Sequence, residues 1–250
     1  MISAELALEL AKQHEWARRE VKSIDPITVE HPELTIDDAY AVQQAWVELQ
    51  ISEGANLVGR KIGLTSRAMQ QQMKIDEPDF GALLDYMVMR SGVELRHADY
   101  VDPKLEVEVA FIIGKRLSGD SVTIEEVLDA TEYIQPALEL IDARSYRVHP
   151  VTKRARTIVD TIADNAAEND AGIGGVVGDG VEETGLAAGV LGHPANGIAW
   201  VARRIAPYGL AIEPGQIILA GSFTRASTTH PGDQFVADYG PLGTVTCNFV

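Results

Sequence analysis

Cationic charge is scarce in this chain of 250 residues: 21 Lys and Arg stand against 37 Asp and Glu, a formal charge of −16. A surface that acidic repels phosphate backbones and anionic lipid, which argues against nucleic acid or a membrane surface as partner. Cysteine is scarcer still. Cys247 stands alone, so no internal disulfide can form, and a reducing cytoplasm is the expected compartment. No long apolar span interrupts the chain and no signal peptide opens it. Repeats, heptad runs and low-complexity tracts are missing, and neither His nor Cys shows the spacing of a structural zinc site.

What is present is apolar mass. At 46% hydrophobic residues the chain can bury a substantial core as one large domain, expected to span 1–250 with a helical portion at 1–55 and a β-rich catalytic body at 56–250. Residues 3–22 space Leu6, Leu10, Ala17 and Val21 at helical intervals, the pattern of an amphipathic helix. "TIDD" offers Thr35 as the N-cap of a second helix running to about Gly54. From Leu57 on, short β-rich runs alternate with glycine and proline: "LVGRKIGLT", "ALLDYMVM", "LEVEVAFIIG", "YIQPALELID", "GQIILAGSF", "QFVADYG" and "GTVTCNFV". Two helices interrupt them. "TIEEVLDA" opens on a capping box at Thr123 and Glu126, and "HPANGIAWVARRIAPYG" starts at Pro194 and stops at Gly209. "GIGGVVGDG" at 172–180 lacks the preceding strand and following helix of a dinucleotide site, so a mobile loop is expected there.

Within "KLEVEVAFIIG", side chains alternate across the strand, so Glu106 and Glu108 share a face with Ala110 and Ile112 while Leu105, Val107, Val109 and Phe111 occupy the other. Two carboxylates about 6.5 Å apart repel by roughly 2–3 kcal/mol at an effective dielectric near 20, before any cost of desolvation. A divalent ion between them would relieve this; a solvent-facing strand edge is the alternative. Glu139 in "YIQPALELID" adds a third acid among apolar neighbours. An oxygen-only set of this kind favours Mg²⁺ or Mn²⁺ over Zn²⁺. Lys61, between Val58 and Ile62 in a strand leading to the helix "SRAMQQQM", is a candidate acid, base or oxyanion partner. Asp79 in "DEPDFG" and the pair Asp164 and Asn165 in "IADNAA" have the composition of turns.

"GRKIGLTSRAMQ", "EPDFGALLDYM", "PKLEVEVAFIIG", "PALELIDAR", "IADNAA", "VLGHPANGIAWVA" and "GQIILAGSFTR" together resemble, in order and over nearly the whole chain, the hydratases of meta-cleavage pathways. The pattern is similar above all to those of homoprotocatechuate (4-hydroxyphenylacetate) breakdown, within the fumarylacetoacetate hydrolase superfamily. The resemblance implies a mixed α/β fold, a β-roll or distorted barrel with helices outside, assembled as a pentamer or decamer. It implies that Glu106, Glu108 and Glu139 bind Mg²⁺ or Mn²⁺ and that Lys61 and Asp79 work on substrate and water. The implied reaction adds water to a seven-carbon 2-oxo diacid; hydration of a five-carbon dienoate and decarboxylation of a similar enolate are sister chemistries. A carbon–carbon hydrolase would need a water-activating His and acid pair, and His193 in "GHPANG" reads as a helix-entry residue instead. One departure is visible: between "DNAA" and "EETG" the chain is shorter than the family pattern. A seven-carbon diacid also needs a cation for its far carboxylate, with Arg225 after "AGSFT" the first candidate and Arg144 after "LELID" the second.

Overall fold

The computed structural model describes residues 1–66, 70–71, 73–172 and 184–250, and at 168–172 and 187 the backbone alone. Five helices and ten strands are described: α1 (Ala4–Glu20), α2 (Ile36–Ser52), β1 (Leu57–Gly63), β2 (Asp79–Leu84), β3 (Val93–Leu95), β4 (Pro103–Ile113), α3 (Ile124–Ala130), β5 (Thr131–Asp142), α4 (Ile158–Ala163), β6 (Glu168–Gly172), α5 (Ala195–Ile205), β7 (Ile217–Leu219), β8 (Ser227–Thr228), β9 (Gln234–Asp238) and β10 (Thr244–Phe249).

Local chemistry fixes the helix ends. Ser3 accepts from the Leu6 N–H at the start of α1, and Thr35 and Asp38 close a reciprocal capping box on α2. Thr123 and Glu126 do the same for α3. Helix α5 follows Pro194 and passes through a single 3₁₀ turn to Gly209, whose φ of +72° ends it.

The strands form a mixed sheet in the order β2-β1-β7-β4-β5-β6, with β8 on β4, and a smaller sheet in the order β3-β10-β9. Strand β4 lies inside the large sheet, flanked by β5 and β7, so the strand-edge alternative for its glutamates does not hold. One face of the large sheet packs against two sets of neighbours. Val109, Phe111, Ile62 and Ile218 pack into the core shared with α1, α2, α4 and α5, while Leu105, Leu138 and Leu140 pack against Phe235 and Phe249 of the small sheet. The glutamates point to the other face.

One expectation needs correction. "ALLDYMVM" is not one strand: β2 begins earlier, at Asp79, and stops at Leu84, where a 3₁₀ turn takes over. Helix α4, which sequence reasoning passed over, carries the same kind of capping box, Thr157 with Asp160, but is only six residues long. Asp164 and Asn165 do form the turn that their composition suggests, fully buried at the end of α4. Of the glycine-rich stretch, Gly172 ends β6 and residues 173–180 lie outside the described residues; the expected helix after Ser66 lies partly outside them, with Gln70 N donating to Ser66 O at 3.0 Å.

Candidate active site

Register brings the acids together. Glu106 on β4 sits directly opposite Glu139 on β5, and Glu108 follows two residues along, so all three carboxylates project to one side. Their ligand oxygens lie within 4.8 Å of one another. Strand β1 joins them through β7: Lys61 pairs with Leu219, and Leu219 pairs with Ala110, two residues from Glu108 on the same face. The Lys61 ammonium lies 3.0 Å from Glu139 Oε1. Glu108, Glu139 and Lys61 are all buried, and Glu106 is partly open to the cavity.

The positive charge at hand does not satisfy this cluster. Besides Lys61, the Gly221 N–H donates to Glu108 Oε2 at 2.8 Å. Glycine is needed there: φ is +109°, and a Cβ would lie 2.4 Å from the Thr65 side chain. Among the described residues, Glu108 Oε1 is buried with no donor. Burial, then the charge of Glu139, pushes the Glu106 carboxyl up to about 7, with Lys61 pulling against both. The same two causes hold Glu108 well above the usual carboxylate range. An all-oxygen set within 4.8 Å, with a buried oxygen left unanswered, fits a hard divalent metal.

Asp79 approaches from the other side. As first residue of β2 it pairs with Gly63, diagonal to Lys61, and a Cβ on Gly63 would lie 2.2 Å from Asp79 Oδ1. The missing side chain is what gives the carboxylate its place. At 2% exposure, burial pushes the Asp79 carboxyl above its ordinary range, opposed by the charge of Lys61. Lys61, Asp79, Glu106, Thr65, Arg147 and Arg156 line one cavity of about 360 Å³.

Neither arginine expected at this site is part of that wall. Arg144 is buried against Asp164, donating from its backbone N–H at 2.9 Å and from its guanidinium, and stacks 4.9 Å over the Trp46 ring. Its charge is spent on the ion pair. Arg225 is exposed, and Ser222, three residues earlier, lines the cavity instead. Sequence reasoning passed over Arg147 and Arg156. The signal for them is a run of five cations between 144 and 156 in an otherwise acidic chain. Tyr239 also carries no motif: its hydroxyl lies 2.6 Å from Glu108 O and 2.8 Å from Ala137 O, tying the small sheet to the strands that bear the glutamates.

No protein-family model matches the chain. Among characterised proteins, the 2-oxo-hept-4-ene-1,7-dioate hydratase of Escherichia coli is 47% identical over 96% of this chain and 97% of its own length. The chain belongs to the hydratase/decarboxylase family of the fumarylacetoacetate hydrolase superfamily. Within that family, the 2-hydroxyhexa-2,4-dienoate hydratase of Comamonas testosteroni is 33% identical, with 93% of each chain covered. The solved 4-oxalocrotonate decarboxylase from Pseudomonas putida G7, complexed with magnesium and adipate, superposes with a TM-score of 0.93 at 31% identity, covering 100% of this chain and 99% of the other. The mixed α/β architecture with N-terminal helices is the family's own. Family membership and the acidic triad together imply a divalent metal.

Proposed function

We propose that this protein hydrates 2-oxohept-ene-1,7-dioate to 4-hydroxy-2-oxoheptane-1,7-dioate, with Glu106, Glu108 and Glu139 holding Mg²⁺ or Mn²⁺ and with Lys61 and Asp79 acting on substrate and water. The observation that carries the reading is a buried lysine and a buried aspartic acid on the same cavity as a carboxylate triad, in a chain 47% identical to a hydratase of that substrate. The solved relative complexed with magnesium supports the choice of metal. Place in 4-hydroxyphenylacetate breakdown and a cytoplasmic setting belong to the same proposal; among the described residues no helix is long and apolar enough to cross a membrane.

The bound metal would supply Lewis-acid stabilisation of negative charge on the 2-oxo acid. Lys61 sits where its ammonium can hold part of that charge as the enolate develops. Asp79 is kept toward its protonated form by burial, so it can give a proton to carbon. Left as a carboxylate, it can take the proton of the attacking water as the oxygen bonds to C4, then pass that proton to C3. A hydroxyl ends on C4 and a hydrogen on C3. For a double bond that starts further along, the Asp79 carboxylate would first take a proton from C3 and return it to C5, which brings the double bond into conjugation before water adds.

Half-exposed Leu128, Tyr133 and Ile134, on α3 and the start of β5, support self-association into the pentamer or decamer expected of the family. Mass measurement in solution tests that part. The reaction is tested by following the ultraviolet absorbance of seven-carbon and five-carbon dienol acids, with divalent metal and with chelator, while measuring CO₂. Metal-dependent consumption of the diacid without CO₂ is expected. Release of CO₂ would instead make the protein a decarboxylase like its solved relative.

A further inference from the structure

We propose that Arg156 determines specificity for dicarboxylic substrates by donating to the carboxylate remote from the metal triad. The inference rests on the diacid reading above and gives it a residue.

The chain after β5 folds back on itself. Val148 pairs with Ala155, His149 N donates to Arg154 O at 2.9 Å, and Arg156 N donates to Arg147 O at 3.0 Å. The two arginines are therefore cross-strand neighbours on the cavity wall. Their bonding differs. Arg147 donates from Nε to Asp102 Oδ2 and from Nη2 to Asp102 O, and its side chain is 26% exposed. Arg156 is 9% exposed, and among the described residues its Nη1 has no acceptor. Asp164 Oδ2 lies 3.6 Å from that nitrogen, beyond hydrogen-bond reach, and Asp164 already accepts from the guanidinium and backbone N–H of Arg144.

A guanidinium donor buried without an acceptor is costly, and water or protein normally answers it. Arg156 is itself one of the residues that line the cavity. Its planar fork matches a carboxylate, and Lys61, Asp79 and Glu106, which suit a 2-oxo acid, line the same cavity. A linear molecule with a 2-oxo acid at one end and a carboxylate at the other answers both sets of groups at once; a monoacid leaves Arg156 unmet.

The test uses the full-length, metal-loaded enzyme and the variants Arg156→Gln, Arg156→Lys and Arg147→Gln. Turnover of the seven-carbon diacid and of 2-hydroxypenta-2,4-dienoate is measured beside calorimetric binding of adipate and oxalate. Arg156→Gln should lower diacid kcat/KM by about 100-fold through KM, the scale of a lost buried charge contact, against less than about threefold for the monoacid. Adipate affinity should fall in parallel while oxalate, which spans only the metal end, falls far less. Arg156→Lys keeps the charge without the fork, and should lower the diacid-to-monoacid ratio by about tenfold; it decides the matter if the glutamine variant does not fold. Equal losses on both substrates, equal weakening of oxalate and adipate, or a diacid-specific loss confined to Arg147→Gln would overturn the assignment. If the wild-type enzyme does not favour the diacid, the functional reading fails, whereas selective loss of adipate in Arg156→Gln would still identify Arg156 as a carboxylate site.

Discussion

Two clusters of buried acid are built on opposite terms. At the contact of α1 and α2, Glu15 accepts from Arg18 at 2.8 and 3.0 Å, from Trp46 Nε1 at 3.0 Å and from Gln50 Nε2 at 2.9 Å. Burial pushes its carboxyl up, but hydrogen bonds from Arg18 and Arg19 outweigh that and hold it below the usual range. On the sheet, Glu108 has one backbone donor and an unanswered oxygen, and its carboxyl is driven the other way. Both acids are buried; only the first is satisfied. The arginines differ as well: Arg144 donates from Nε to Asp164, whereas Arg156 Nη1 lies 3.6 Å from Asp164 Oδ2 on a residue that lines the cavity. Burial alone therefore does not mark function in this fold.

The sharpest way to break the contrast is Glu108→Gln. Loss of one carboxylate of the triad should lower kcat by about 10³-fold or more, yet in chelator the melting temperature should hold or rise, because the neutral amide relieves like-charge repulsion. Full turnover in that variant would remove the distinction between the clusters. Lys61→Ala should cost roughly 10²–10³-fold in kcat while calorimetry still detects metal and oxalate; metal affinity lost as fully as in Glu108→Gln would make Lys61 structural. Glu15→Gln should do the reverse of both. It removes the negative charge that Arg18 and Arg19 share, a loss of about 2–3 kcal/mol that lowers Tm by roughly 5–10 °C, with KM of the surviving enzyme unchanged.

The smallest effect is the most discriminating, because the two clusters should respond to pH with opposite signs. Glu106 and Glu108 have raised carboxyls, so without metal the folded state binds more protons than the unfolded one between about 4.5 and about 7, and their contribution to stability falls as pH rises through that window. Glu15 is depressed, so its contribution is present above the unfolded value and is lost as pH falls through the folded one. Added metal should therefore raise Tm more at pH 8 than at pH 5.5 in the wild type, and Glu106→Gln should flatten that difference. A metal-induced shift independent of pH would count against the triad as the ligand set.

The triad was legible because strand periodicity is local: Glu106, Glu108 and Glu139 each sit among apolar residues at a spacing of two. Helix α1 was legible through its apolar period, and α2 and α3 through their caps. Asp79 was not, since "DEPDFG" has turn composition and its strand conformation comes from pairing with Gly63. Support also comes from Asn165, whose side chain bonds the N–H and the carbonyl of Ala82 at 2.8 and 3.0 Å from 83 residues away. Helix α4 is too short for a period to register, and the Asp160 that caps it also holds Thr28, a bond no local window contains. The arginines fail for the same reason. Nothing near Arg144 or Arg156 in sequence says which of them Asp164 will engage.

Strand β7 is three residues long, yet it stands between β1, which carries Lys61, and β4, which carries Glu106 and Glu108. Its contacts close loops of more than a hundred residues on either side, and pairings of that span form late in folding. On the ribosome, at about 5–20 residues per second, the three glutamates and Asp79 emerge several seconds before Leu219 and Gly221. During that interval the lysine strand has no fixed distance from the acids and Glu108 lacks its backbone donor. The nascent chain thus carries an acidic cluster with its spacer still unmade, and the order of synthesis makes completion of the catalytic pocket one of the last events in the life of the folding chain.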